Sequence, residues 1–145
     1  MKLHLKNILL LTLTFFFVSA VNAQNVKLKK GFVLVDNEKT FEYEKRAAAS
    51  EFSLYTIGRE QEVIFMLRNS NETIGYGDDD FIQITFIVDN RKLETASLRG
   101  YSFKYFVEKL IKEKVLDLEG NIDSKKLDTF FSKYDERITD RTIRH

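Results

Sequence analysis

The spacing of the apolar residues changes once along the chain, and this change sets the fold class. Between residues 26 and 98, apolar side chains alternate with polar ones or form short runs, which is typical of β-strands. From Phe103 onward they recur every three or four residues, as on one face of an α-helix. Because strands come first and helices last, the sequence predicts an α+β domain.

The first part of the chain predicts an antiparallel sheet of five to six strands, within about residues 26–98. Short segments with turn-forming residues join most of the candidate strands, which favours hairpin connections. Several strands are apolar on both sides, so either both faces of the sheet are covered or the sheet curls into a partial barrel. The candidate strands are Val26–Lys30, Phe32–Val35, Thr40–Tyr43, Glu51–Ile57, Glu62–Arg68, Phe81–Val88 and Leu93–Leu98.

Two C-terminal helices are predicted after the sheet, within about residues 102–137. Ser102 suits the N-cap of the first helix, and Asp123 or Ser124 suits that of the second. Gly120 lies between them, where it can end the first helix. The side chains expected to face inward are Phe103, Phe106, Val107, Leu110, Ile111 and Val115 in the first helix and Leu127, Phe130, Phe131 and Tyr134 in the second.

Residues 1–23 have the pattern of a cleaved secretory signal peptide. Lys2 and Lys6 precede the uncharged run Ile8–Val18, and small residues lead to Ala23. The run is shorter than the roughly 20 apolar residues of a membrane span, and the chain has no cysteine for lipid attachment. We therefore expect cleavage before Gln24, no stable membrane anchor afterwards, and one periplasmic or secreted domain of residues 24–145.

The composition of the expected mature chain argues against several classes of function. The leader holds two of the 23 basic residues and none of the 22 acidic ones, so the mature chain has a slight acidic excess. This balance gives no electrostatic reason to expect a nucleic-acid partner. Cysteine is absent, and the mature chain keeps a single histidine, His145. Histidine- or cysteine-based catalytic arrangements and zinc sites are therefore not expected.

The polar loop before the sixth candidate strand holds two candidate sites. Asp78, Asp79 and Asp80 are suited to ligate Ca²⁺, which takes oxygen ligands, although a solvated turn with acidic residues is the commoner structure. Tyr76, between two glycines, is a candidate contact for a partner, and the alternative is that it packs into the core. Asn71-Glu72-Thr73 matches the acceptor pattern for N-glycosylation, which matters only in a eukaryotic host.

A second acidic segment, Asp117–Asp123, partly resembles an EF-hand calcium loop. With Gly120 at the sixth position, Val115 and Lys126 fall at the first and twelfth, where the loop needs acidic ligands. We therefore reject a calcium site here and expect a turn between two helices.

Four short segments lie near the two ends of the chain: Asn22-Ala23-Gln24, Lys30–Asp36, Glu119–Asp123 and Phe131–Asp135. Together they resemble small exported proteins of unknown function from Gram-negative bacteria. The resemblance implies a periplasmic or secreted location, and it supplies no activity and no functional residues.

These observations favour an exported, non-catalytic domain that binds another envelope or periplasmic protein. A more specific form of this hypothesis is a periplasmic inhibitor or immunity-type protein. The competing hypothesis is a small enzyme that uses carboxylates, in one form assisted by Ca²⁺ at Asp78–Asp80; no cofactor is otherwise expected.

Overall fold

Among the described residues, seven strands form one antiparallel sheet in which every strand pairs with its neighbours in sequence. The computed structural model describes residues 24–70 and 80–142. The predicted count of five to six strands was too low, because both end segments of the sheet also pair as strands. The strands are β1 (Val26–Lys29), β2 (Phe32–Val35), β3 (Glu38–Arg46), β4 (Glu51–Tyr55), β5 (Glu62–Asn69), β6 (Phe81–Phe86) and β7 (Arg91–Thr95).

Tight two-residue turns join the first three strands. Lys30 and Gly31 connect β1 to β2 with φ angles of 49° and 82°, and Asp36 and Asn37 connect β2 to β3 with φ angles of 51° and 71°. Two successive positive φ angles mark the hairpin turn whose twist matches that of the flanking strands. Glycine and asparagine adopt this conformation readily, so the local sequence favours both hairpins.

Alternation along the strands separates the sheet into a buried inner face and a partly exposed outer face. On the inner face, Met66 of β5 lies opposite Ile84 of β6, and Ile84 lies opposite Leu93 of β7. Residues two apart on a strand share a face, so this register brings the buried residues together across the sheet. The buried side chains of this face include Val33, Val35, Phe41, Phe52, Leu54, Ile64, Met66, Ile82, Ile84, Phe86 and Leu93.

In the described part of the chain both predicted helices are present and a short third helix follows them, but the first helix ends at Lys112, before Val115, and not at Gly120 as predicted. The helices are α1 (Phe103–Lys112), α2 (Ser124–Tyr134) and α3 (Ile138–Thr142). The Ser102 side chain accepts a hydrogen bond from the Tyr105 amide at 3.2 Å, and Asp123 accepts one from the Lys126 amide at 3.0 Å. Both predicted caps are thus confirmed. None of these helices is long and apolar enough to cross a membrane.

The helices cover the inner face and leave the sheet open. Phe103 of α1 stacks on Phe52 of β4 with ring centroids 5.1 Å apart, and Phe131 of α2 lies 5.9 Å from Phe86 of β6. In the described part of the chain, β1 and β7 are the two edges of the sheet. α1 contacts β1, whereas α2 and α3 contact β7. The core therefore lies between one sheet face and the helices, and the sheet does not close into a barrel.

Arg68, at the end of β5, holds the loop that leads into α1. Its guanidinium donates one hydrogen bond to the Arg99 carbonyl at 2.6 Å and another to the Tyr101 carbonyl. It also lies 4.8 Å from the ring centroid of Phe103, the first residue of α1. Partial burial lowers the pKa of Arg68, because it disfavours the charged form. The side chain thus fixes the position from which α1 starts across the sheet.

The chain after α2 lies along the outer edge of β7. Asp135 accepts a hydrogen bond from the Glu94 amide at 3.1 Å, and the Glu136 amide donates one to the Glu94 carbonyl at 2.7 Å. The Glu136 carboxylate also accepts from the Thr95 hydroxyl at 3.0 Å and the Ser97 amide at 2.9 Å. Backbone groups that would face solvent at a free strand edge are therefore bonded within the chain.

The loop between α1 and α2 packs closely against one end of the sheet. Gly120 is buried with φ +95°, and a Cβ atom placed there would lie 2.8 Å from Thr56 Cγ2 and 3.4 Å from Val63 Cγ2. Leu116 and Ile122 form an isolated β-bridge on either side of it. This position therefore requires glycine for two reasons, the backbone conformation and the available space.

Glu113 joins α1 to α2 through hydrogen bonds and ion pairs. Its carboxylate accepts a hydrogen bond from the Tyr134 hydroxyl at 2.9 Å and lies 3.0 Å from Lys109 Nζ and 3.2 Å from Lys133 Nζ. Partial burial acts to raise the pKa of Glu113, but the hydrogen bonds from Lys109, Tyr134 and Lys133 outweigh it and hold the pKa below its usual value. The ionised form is thus favoured in the folded protein.

We expect the Glu113→Gln variant to lose part of the acid sensitivity of the fold. A carboxylate with a lowered folded-state pKa contributes stability above its unfolded pKa of about 4.3, and this contribution is lost as the pH falls through the folded-state pKa. The variant should be about 0.5–1.5 kcal/mol less stable than the wild type at pH 7. The difference should shrink towards pH 3 in urea unfolding experiments.

A matched control for this measurement is Glu108→Gln on the same helix. Glu108 lies 3.7 Å from Lys104, and both side chains are more than one third exposed. Exposed pairs of this kind contribute little, so this variant should stay within about 0.5 kcal/mol of the wild type at every pH. A difference for Glu113→Gln that does not change with pH would contradict the role assigned to its charge.

Candidate binding surface

Apolar and aromatic side chains lie in a row on the outer face of strands β4 to β6. We call the side chains of Tyr55, Phe65, Leu67 and Phe81 the outer patch; all four are half-buried. Phe65 lies opposite Thr85 and Leu67 opposite Gln83, so polar side chains stand beside the apolar ones. An antiparallel sheet with one solvated face usually presents polar residues there, which makes the outer patch unusual.

Charged side chains border the outer patch on the side of β3. Arg59 places its guanidinium 3.2 Å from Glu42 and 3.4 Å from Glu44, and it lies 5.3 Å from the ring centroid of Tyr55. The Gly58 amide donates a further hydrogen bond to Glu42 at 2.9 Å. These contacts hold the arginine over the aromatic ring, where it extends the surface of the outer patch.

A second arginine extends this border towards the end of β3. Arg46 lies 3.3 Å from Glu51 and 3.8 Å from Glu44, and it donates a hydrogen bond to the Ser53 hydroxyl at 3.2 Å. Ser53 points to the outer face opposite Phe65, yet only 1% of its surface is exposed. The polar residue in the middle of this face is thus satisfied by a hydrogen bond, as buried hydroxyls generally are.

The arrangement of the outer face matches the anatomy of a protein-binding surface. Such interfaces have an apolar, aromatic-rich centre and a polar rim in which arginine is common. Here Tyr55, Phe65, Leu67 and Phe81 form the centre, and the ion pairs of Arg46 and Arg59 form part of the rim. These side chains project from hydrogen-bonded strands, so the backbone beneath them is already ordered.

Most of the loop residues predicted as a site lie outside the described part of the chain. Tyr76, Asp78 and Asp79 belong to residues 71–79, whereas Asp80 is described and lies half-buried directly before β6. Within residues 24–70 and 80–142, no three acidic or histidine side chains come together in a way that could hold a metal ion. The calcium site at Asp78–Asp80 and the contact role of Tyr76 stay predictions.

The Asp117 segment is a self-contained turn. The Asp117 carboxylate accepts hydrogen bonds from the amides of Glu119 at 2.9 Å and Asn121 at 2.8 Å, and from the Asn121 side chain at 2.9 Å. Burial acts to raise the pKa of Asp117, but these hydrogen bonds outweigh it and lower the pKa. The carboxylate therefore stabilises the turn, as expected for a segment that joins two helices.

The outer patch was not among the sites predicted from the sequence, although a signal for it was present. Phe65 and Leu67 alternate with the buried Ile64 and Met66, so β5 is apolar on both sides. Two-sided apolarity predicts either a sheet covered on both faces or a partial barrel. In an open sheet with helices on one face, the same pattern places apolar side chains at the surface.

Comparison with known proteins adds no further information about this surface. No protein family model, curated protein or solved structure matches the chain.

Proposed function

We propose that this chain is an exported, non-catalytic binding domain that contacts a protein partner of the bacterial envelope or periplasm through the outer patch. The observation that carries the proposal is the row of half-buried apolar side chains, Tyr55, Phe65, Leu67 and Phe81, on one face of a hydrogen-bonded sheet. The location follows from the predicted signal peptide and from the resemblance of the chain ends to exported Gram-negative proteins. The leader is removed before Gln24 in this proposal.

A protein partner fits the chemistry of the outer face better than a nucleic acid or an anionic membrane. Two arginines border the outer patch, but Arg59 is paired with Glu42 and Glu44, and Arg46 is paired with Glu51. The rim is therefore close to neutral and does not form the basic stripe that phosphate backbones or anionic lipids select. Aromatic and aliphatic side chains at the centre favour an apolar contact with a second protein.

Affinity capture with a patch variant and a matched control tests the proposal. The variant Phe65→Ser/Leu67→Ser removes apolar surface from the centre of the outer patch. The control Leu118→Ser makes the same kind of change in the loop between α1 and α2, where Leu118 is 43% exposed. Each tagged protein is incubated with periplasmic extract and culture fluid of the native host, after thermal unfolding has shown that all three are folded.

The wild type and the Leu118→Ser variant should capture the same partner in a stoichiometric amount. The patch variant should capture at least about tenfold less, because it loses more than about 1.4 kcal/mol of binding free energy. Equal capture by the patch variant, or no stoichiometric partner for the wild type, would refute the proposal. Adding the purified domain to a captured enzyme then tests the inhibitor form, since that form requires a loss of the enzyme's activity.

A further inference from the structure

We propose that Gln24 of the mature chain cyclises to pyroglutamate, so that β1 is preceded by a neutral lactam in place of a free α-amine. The inference rests on the proposed removal of the leader, because Gln24 then becomes the first residue. In the intact precursor the nitrogen of Gln24 belongs to a peptide bond and is not nucleophilic. The modification is therefore restricted to the processed chain.

The fold leaves Gln24 exposed and fixes the chain from the next residue onward. The Asn25 amide donates a hydrogen bond to the Asp36 carboxylate at 2.9 Å, and the Asn25 carbonyl accepts one from the Asp36 amide at 3.0 Å. Val26 is only 1% exposed, whereas Gln24 is exposed and precedes β1. The proposed cut thus leaves one residue outside the anchored strand, and the reacting groups both belong to that residue.

The reaction is intramolecular and balanced without a co-reactant. The α-amino nitrogen of Gln24 attacks Cδ of its own side-chain amide, and a new C–N bond closes a five-membered ring. The bond between Cδ and Nε2 breaks, and Nε2 leaves as ammonia after taking up the proton that the α-amino group gives up. Cyclisation removes the positive charge of the chain terminus, as other terminal modifications do.

The ring would protect the strand that the terminus begins. β1 pairs with β2 alone among the described strands, and Asn25, the residue before β1, forms both hydrogen bonds to Asp36. Aminopeptidases require a free α-amine, and exposed chain ends are where trimming begins. Loss of Gln24 and Asn25 would remove the Asp36 contacts and leave Val26 as the chain end. A lactam at Gln24 prevents an aminopeptidase from removing this first residue.

Intact mass and terminal peptide sequencing of the exported protein test the inference. The full chain is expressed in a Gram-negative host, and the processed protein is isolated from the periplasm or medium. The wild type should have the mass of residues 24–145 less one ammonia, with a blocked first residue that pyroglutamyl peptidase releases. The matched variant Gln24→Ala should be cut at the same site and show its full calculated mass, since alanine cannot form the ring.

Exposure to an aminopeptidase supplies the second readout. The wild type should keep its mass, whereas the Gln24→Ala variant should lose its terminal residue. A chain that starts at Gln24 with a free amine would overturn this inference alone. A chain that keeps its leader or starts elsewhere would overturn it together with the proposed processing, and partner capture through the outer patch remains a separate measurement.

Discussion

Replacing Gly120 by alanine is expected to lower the free energy of unfolding by about 2–5 kcal/mol. One part of the cost comes from the backbone, because φ is +95° at this position and an L side chain is strained there. The other part comes from the new Cβ atom, which would lie 2.8 Å from Thr56 Cγ2. Urea unfolding followed by circular dichroism measures the sum of the two costs.

A second substitution separates the steric cost from the backbone cost. Thr56→Ser removes Cγ2 but keeps the hydroxyl that accepts a hydrogen bond from the Gln61 amide at 3.1 Å. In the Gly120→Ala background it should restore about 1–3 kcal/mol, while the backbone strain of about 1–2 kcal/mol remains. If Thr56→Ser has the same effect with and without the Gly120 change, the clash is not the cause.

Gly100 provides the control for a glycine without these constraints. A Cβ atom at Gly100 would meet nothing within 4 Å, and its φ angle is not in the positive region. We therefore expect Gly100→Ala to change the stability by less than about 0.5 kcal/mol. A cost similar to that of Gly120→Ala would mean that the contact with Thr56 is not what distinguishes the two positions.

The second large effect is expected for Phe52→Ala, which should cost about 3–5 kcal/mol of unfolding free energy. Phe52 is fully buried on β4, and its ring stacks between Tyr43 at 5.5 Å and Phe103 at 5.1 Å. Truncation would leave a cavity where the sheet meets the start of α1. Chemical denaturation should show the loss as a lower midpoint with little change in slope.

Phe65→Ala is the matched comparison on the opposite face of the sheet. Phe65 is half-buried and belongs to the outer patch, so its truncation removes less buried area and creates no closed cavity. The expected cost is about 1–2 kcal/mol. Equal costs for Phe52→Ala and Phe65→Ala would show that the outer face is covered in solution, and the outer patch would then not be a free binding surface.

The buried residues of the inner face were predictable because the alternation of apolar and polar residues within each strand identifies them. Ile82, Ile84 and Phe86 alternate along β6, and all three are buried as their spacing predicts. The limits of the strands were less predictable, since apolar residues continue past them. Ile87 and Val88 were assigned to β6, but the strand ends at Phe86 and both residues are exposed in the following turn. A run of apolar residues therefore does not show where a strand ends.

The hydrogen bonds of Asp135 and Glu136 to Glu94 show why contacts between distant residues could not be predicted from the sequence. The sequence predicts that the second helix runs to about residue 137 and that a loose tail follows it. In the structure α2 ends at Tyr134, and Asp135 and Glu136 bond to Glu94 instead. These partners are separated by about 40 residues, and no local pattern encodes such a pairing.

The candidate site was the least predictable part of the molecule. The sequence draws attention to the acidic residues Asp78–Asp80, because carboxylates can ligate Ca²⁺. Asp78 and Asp79 lie outside the described part of the chain. The outer patch consists of ordinary strand residues such as Phe65 and Leu67. Their exposure depends on which face the helices cover, and that choice is made by tertiary packing.

The hydrogen bonds between β7 and the segment after α2 have a consequence for the order in which the protein folds. Successive hairpins close over short distances along the chain, so β1 to β7 can pair in the order in which they are synthesised. The edge of β7 is different, because Asp135, Glu136 and Thr139 must emerge before they can bond to Glu94. Until then the nascent sheet has an open strand edge, the kind of surface that recruits chaperones or pairs with other chains. We therefore expect the edge of β7 to become bonded only after the strands and the first two helices have been synthesised.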